Sequence, residues 1–393
     1  MPYGAEKTIC AGLTRDARGP LAFIAGMNNA RPPSTRDRAA ALATAAAQFP
    51  LLGEVRAADL LDVVRLELGH VEILDGFRPY GGHFARAIPP RRLLHIVSGN
   101  TPHAALQSLV RGLLLGSHNR VKLPSVGLPE VTAFCAALPP ALAALVEISA
   151  ALPDSWPREA DAVVVFGSDE TIAHFRSRVS AGVPFQAHGH RVSVGVVFDD
   201  PGCESVTAAA RDVSLYDQQG CLSPHDIYVR ETEGFAARTY AARLAEAMEA
   251  FNRLTPRAPL GISGNAAIAD LRASYAFRSA NDPRVQLWTS ASSTDWTVIY
   301  EEDPWFATSP LNRVVFVKPL PADLAAALAP VSGWLGAIGI HPATPENAGR
   351  VALLGASRIC PLGSMQFPPA TWHAEGLPNL GSLVRWVDFE PGT

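Results

Sequence analysis

A lone thiol inside a glycine-bearing turn carries the clearest chemical signal in this chain. Cys221 ends the run Tyr216-Asp217-Gln218-Gln219-Gly220-Cys221, which follows an apolar helical pattern through Val206, Ala209, Val213 and Leu215. Gly220 permits close approach of backbone or substrate, and Pro224 diverts the chain before a strand-like Asp226-Ile227-Tyr228-Val229. The pattern predicts helix, exposed thiol, strand. A free thiol has a pKa of ~8.5 and is a poor nucleophile unless neighbours support it. Such support needs donors for a developing oxyanion and a pocket that holds the reactants.

Three other segments offer those parts. Val97-Ser98-Gly99-Asn100-Thr101-Pro102 leaves a strand and enters a helix, so the Asn100 amide is a candidate oxyanion donor, although an Asn after Gly is also an ordinary turn or cap residue. Lys122 and then Ser125 follow a strand, a setting that suits a ribose or phosphate contact or simply a solvated lysine. Val165-Phe166-Gly167-Ser168-Asp169-Glu170 runs from an apolar strand into a helix start whose free N–H groups can hold a phosphate, partly opposed by the two acidic residues. No G-x-G-x-x-G and no G-x-x-x-x-G-K-[ST] occurs, so a nucleotide site here is of another kind. His188 and His190 have no third ligand at suitable spacing, which argues against a metal and makes them polar residues of a loop or site wall.

The elements that must position these residues alternate. Two helices are expected between Thr35 and about Leu68, the first capped by Ser34 or Thr35. Strands at 93–97, 120–123, 145–148, 162–166 and 193–198 alternate with helices at 103–115, 129–138 and 170–178. That order predicts an α/β fold with doubly wound parallel sheets. The pattern restarts after Asp199-Asp200-Pro201-Gly202 with the Cys221 helix, a strand at 226–230, a helix at 235–253 and a strand at 314–317. The expected division is a cofactor-binding domain with an N-terminal helical arm over 1–200, a catalytic domain over 201–370, and a tail over 371–393 that packs against a domain or subunit.

Composition narrows the class. The 393 residues carry a net charge of −4 without a basic run, so nucleic acid is not an expected partner. No apolar stretch is long enough to span a membrane, and no signal-like start is visible, which sets a cytoplasmic location as the expectation. The 5 cysteines are widely spaced without a C-x-x-C pair, which argues for reduced thiols.

In this order the pieces resemble the aldehyde dehydrogenase superfamily, and within it the acyl-CoA reductase branch that supplies aldehyde to bacterial luciferase. Gln218-Gln219-Gly220-Cys221-Leu222-Ser223-Pro224, the stretch Ser293 to Ile299 and the ending Leu383-Val384-Arg385-Trp386 look like that branch in particular. The resemblance covers about residues 90 to 390 and implies two doubly wound domains with the active site between them. It implies Cys221 as nucleophile, Asn100 as oxyanion donor, Lys122 at the cofactor's adenosine ribose, and Gly167-Ser168 at its pyrophosphate, with Ser98 nearby. Where hydrolytic members carry a general-base glutamate this chain has His188, so His188 and Gln219 become site-wall candidates. Ser125 stands where NAD-preferring members often have glutamate, which favours NADPH by removing repulsion with a 2′-phosphate. The contact to the nicotinamide ribose finds no clean match.

The expectation that follows is NADPH-dependent reduction of an acyl thioester, from coenzyme A or an acyl-protein, to an aldehyde. An acyl-protein synthetase or transferase is an expected partner, and homo-oligomers are expected. Two rivals stand beside it: NAD(P)-dependent aldehyde oxidation, and a non-catalytic or acyl-transfer component of a complex.

Overall fold

The computed structural model describes residues 32–99, 102–200, 202–291 and 293–392. Helices Thr35–Ala46 and Ala57–Leu68 open this part of the chain. Ser34 caps the first: its hydroxyl accepts from Asp37 N–H at 3.2 Å, and the Asp37 carboxylate accepts from Ser34 N–H at 3.0 Å. Leu42, Val63, Val64 and Leu68 pack into one core with Leu106, Leu109 and Leu113 of helix Pro102–Leu115.

Five parallel strands form the first large sheet, in the spatial order Val146–Ser149, His118–Lys122, Arg92–Ile96, Ala162–Phe166, Phe185–His188. Its central strand is buried on both faces. Leu93 enters the core beneath helices Pro102–Leu115 and Pro129–Ala137, while Leu94 enters the opposite core with Trp156 and Phe175. Helices on both faces explain why the strands read as continuous apolar runs rather than alternating ones.

The second large sheet has seven strands, ordered Val285–Thr289, Thr297–Glu301, Val314–Pro319, Pro224–Val229, Val192–Val197, Leu335–His341, Arg358–Pro361. All neighbours are parallel except the outermost pair Val285–Thr289 and Thr297–Glu301. Helices Val206–Ser214 and Ala237–Leu254 cover one face, and helix Ile262–Asn281 packs on the other through Ile268 and Tyr275, which share a core with Ile299, Val314 and Phe316. A small antiparallel sheet joins Arg78–Tyr80, His83–Ile88 and Arg385–Phe389.

The strand Val192–Val197 precedes the expected break at 200, yet it belongs to the seven-stranded sheet, so the chain changes sheets at 189–191. The punctuation at Asp199-Asp200-Pro201-Gly202 has a local cause. Asp200 is buried and accepts from Glu204 N–H at 2.6 Å and Ser205 N–H at 2.8 Å, closing the entry to helix Val206–Ser214. The 20-residue helix Ile262–Asn281 escaped sequence reading because it buries only Ile268 and Tyr275, too few for a 3.6-residue period to show. In the 371–393 tail, Val384 and Trp386 pack against the core of the five-stranded sheet. Among the described residues no helix is long and apolar enough to cross a membrane, and no group of side chains is arranged to hold a metal ion.

Candidate active site

Cys221 is set by an unusual stretch of backbone. Tyr216, Asp217 and Gln218 all take left-handed conformations, with φ of 53°, 51° and 62°. Such residues cost on the order of 1–3 kcal/mol each unless their surroundings compensate. Here the surroundings do. The Gln218 side chain is fully buried, donates to the Pro224 and Val314 carbonyls at 2.9 and 2.8 Å, and accepts from Val314 N–H at 2.9 Å. Asp217 pairs with the buried Arg313 at 2.7 Å and accepts from Ala258 N–H at 3.1 Å. Gln219 donates to Asn312 at 2.8 Å.

The facing segment is left-handed as well: Leu311, Asn312 and Arg313 have φ of 62°, 59° and 65°. Two left-handed triplets, well separated in sequence, therefore clasp one another through side chains. Beyond the clasp, Gly220 lies so close to Gln366 that a Cβ would sit 3.1 Å from its Oε1, tighter than ordinary contact. The Cys221 carbonyl accepts from Ser193 Oγ at 2.8 Å, and the same Oγ accepts from Ala337 N–H at 3.0 Å, which ties Cys221 to the seven-stranded sheet.

The thiol opens onto a cavity of about 1210 Å³ between the two large sheets. The carboxyl ends of the first sheet's strands give it Ser98, Lys122, Gly167, Ser168 and His188, and the second sheet gives it Gln219, Gly220 and Cys221. Most of the sequence candidates thus share one space. Ser125 does not: it stands on the exposed 124–127 turn outside the cavity wall, because the chain leaves the sheet after Leu123. Asn100 lies outside the described residues.

The first-sheet wall suits a dinucleotide. Ser168 caps helix Asp169–Arg178 by accepting from Thr171 N–H at 3.4 Å. A Cβ on Gly167 would meet Thr171 side-chain atoms at 2.8 Å, so only glycine lets the strand end lie this close to the helix start. The Lys122 ammonium reaches over the strand end to the Leu123 carbonyl at 2.7 Å and keeps further donors for a ribose or phosphate.

Sequence reading missed Glu375. It comes from the irregular 361–384 stretch, where Pro and Gly hide any period, and its own φ of 55° marks the tight turn that delivers it. Its side chain is 13% exposed and accepts from His188 Nδ1 at 3.0 Å and from Arg191 Nε at 2.9 Å. Because a carboxylate only accepts, Nδ1 of His188 carries the proton, and Nε2 is the nitrogen left to exchange one. The His188 ring also stacks on Phe166, with centroids 4.5 Å apart. Cys221 is accessible from the cavity but walled by protein, and this burial, together with the Glu375 charge, pushes its thiol up to about 11 against a smaller opposing pull from Arg191. Burial holds His225 and His103, both on the wall, down to about 4, so both are neutral.

A profile of the family described as acyl-CoA reductase (LuxC) matches residues 35–386. A long-chain acyl-protein thioester reductase of Aliivibrio fischeri is 22% identical over 359 residues, spanning 84% of this chain and 70% of that protein. The fold is similar to that of aldehyde dehydrogenase 21 of Physcomitrella patens, solved in complex with succinate, with a TM-score of 0.62, 13% identity, and coverage of 94% and 88% of the two chains. An NADP-dependent glyceraldehyde-3-phosphate dehydrogenase of Bacillus halodurans, solved with NADP, has a TM-score of 0.61 at 13% identity over 92% of this chain and 87% of its own.

Proposed function

The chain belongs to the acyl-CoA reductase (LuxC) family, and from that premise we propose that it reduces an acyl thioester to an aldehyde with NADPH, through an acyl group carried on Cys221. The observation that carries this reading is the shared cavity: the thiol lines the same space as Lys122, Gly167 and Ser168.

Cys221 sulfur attacks the thioester carbonyl, and the carbon–sulfur bond to the carrier thiol breaks as that thiol takes a proton. His188, oriented by Glu375, is the group that moves this proton. A reduced nicotinamide held by Lys122, Gly167 and Ser168 would supply a hydride to the acyl-cysteine carbonyl, giving a thiohemiacetal on Cys221. Collapse of the thiohemiacetal releases aldehyde and restores the Cys221 thiol, with one proton taken up overall. Asn100 is assigned to stabilise the oxyanion formed at each addition. Both Glu375 oxygens are engaged, one by His188 and one by Arg191, so Glu375 serves to orient His188 rather than to take a proton from water itself. Preference for NADPH rests on the absence of a carboxylate three residues after Lys122 rather than on a contact from Ser125.

The acyl carrier is coenzyme A or an acyl-protein delivered by a synthetase or transferase partner. The test is NADPH consumption with a panel of acyl-CoA thioesters, beside Cys221→Ala and an NADH control. Aldehyde formation that depends on Cys221 is expected. Turnover that instead consumes aldehyde and NADP without a thiol acceptor would replace this reading with aldehyde oxidation.

A further inference from the structure

Helix Pro102–Leu115 turns one polar face into the cavity, formed by His103, Gln107 and Arg111, each one turn after the last. His103 is kept neutral by burial and by the charge of Arg111, and it meets Gln107 at 3.2 Å. Arg111 differs from the other cations of the wall. Arg191 is held by Glu375, and Lys122 reaches the Leu123 carbonyl, whereas Arg111 makes no hydrogen bond or ion pair among the described residues. Burial pulls its pKa down to about 10, opposed by the attraction of Glu67.

Glu67 does not serve as its partner. The Glu67 oxygens already accept from Asn379 N–H at 2.9 Å, Asn379 Nδ2 at 3.0 Å, Leu380 N–H at 2.6 Å and Gly381 N–H at 3.1 Å. A guanidinium that lines a cavity without a partner is costly to cover with a plain hydrocarbon, because its five donors would lose water and gain nothing. The position also separates it from the cofactor wall. The helix returns from the strand ends, so Arg111 lies about 12 Å along the axis from His103, away from Gly167 and Ser168.

Resting on the thioester-reductase reading, we infer that Arg111 binds an oxyanion group, carboxylate or phosphate, borne by the thioester substrate at a point removed from the carbonyl that Cys221 attacks. A planar guanidinium with free paired N–H groups matches either group in bidentate fashion.

The test compares ω-carboxyacyl thioesters with alkyl-acyl thioesters of equal length, each on coenzyme A and on N-acetylcysteamine, which lacks phosphate, using the native protein and Arg111→Gln. If the anion is on the acyl group, the native protein prefers the carboxyacyl substrate on both thiols, and Arg111→Gln lowers that ratio of kcat/KM by about 10- to 100-fold. If it is on the thiol, the native protein prefers coenzyme A over N-acetylcysteamine for either acyl group, and the variant loses that preference. Absence of both preferences in the native protein, or their survival in the variant, overturns the inference. If no thioester is reduced at all, the functional reading fails separately. Thermal stabilisation of Cys221→Ala by glutarate and by phosphopantetheine then still decides: stabilisation that Arg111→Gln removes upholds the anion site, and none with either ligand overturns it.

Discussion

The Cys221 thiol is held in its protonated form. With its thiol pushed to about 11, it is almost wholly protonated near neutral pH, and the Glu375 charge contributes to that state. The thiolate fraction therefore rises about tenfold per pH unit below the pKa, and alkylation of Cys221 by iodoacetamide should follow the same slope from about pH 7 to 10. The sign of the folding linkage is the opposite. The folded chain keeps a proton that an unfolded thiol, with its ordinary value of 9.0, has lost, so this group's contribution to stability falls as pH rises from 9.0 to about 11. Glu375→Gln removes a negative charge and frees Arg191, both of which favour the thiolate. Alkylation of that variant at about pH 8 should be about tenfold faster, and an unchanged or slower rate would show that Glu375 does not act on the thiol. The turn that carries Cys221 to the cavity was legible in the sequence because its flanking motif is local, whereas the place of Glu375 on the same wall was not, since nothing in an irregular segment so far along the chain announces where it folds.

The clasp between residues 216–219 and 311–314 is the element that fixes the backbone leading to Cys221. Gln218→Ala would leave the Val314 N–H and the Pro224 carbonyl buried without partners, at a cost of about 2–4 kcal/mol in denaturant unfolding. It should also lower kcat by about 10²-fold at temperatures where the variant remains folded, because a misplacement of about 1 Å at a reacting group costs that much. A variant that loses stability but keeps kcat would reduce the clasp to a structural tie. The strands and helices around it were readable from period and punctuation, since runs such as Leu93 to Ile96 and Ala162 to Val165 are buried on both faces by their helices. The left-handed triplets were not readable, because Tyr216, Leu311 and Arg313 are residue types with no local preference for positive φ, and the hydrogen bonds that stabilise that backbone come from residues distant in sequence.

On the scale of the whole molecule, the small sheet leaves Arg385–Phe389 as an edge strand among the described residues, with Phe84 37% and Phe389 51% exposed and their rings 6.2 Å apart. An open edge beside exposed aromatics favours pairing with a second copy of the chain. Light scattering should give a mass at least twice 41.7 kDa, and the double variant Phe84→Glu, Phe389→Glu should fall to the monomer; a native monomer would exclude this edge as a subunit contact. Cys221 is synthesised long before Asn312, Arg313 and Val314, which hold its loop, and longer still before Glu375. On the ribosome the thiol is thus present without its setting, and it is seated among its partners only when nearly the whole chain has emerged. A truncated product would carry the cysteine motif and no active centre.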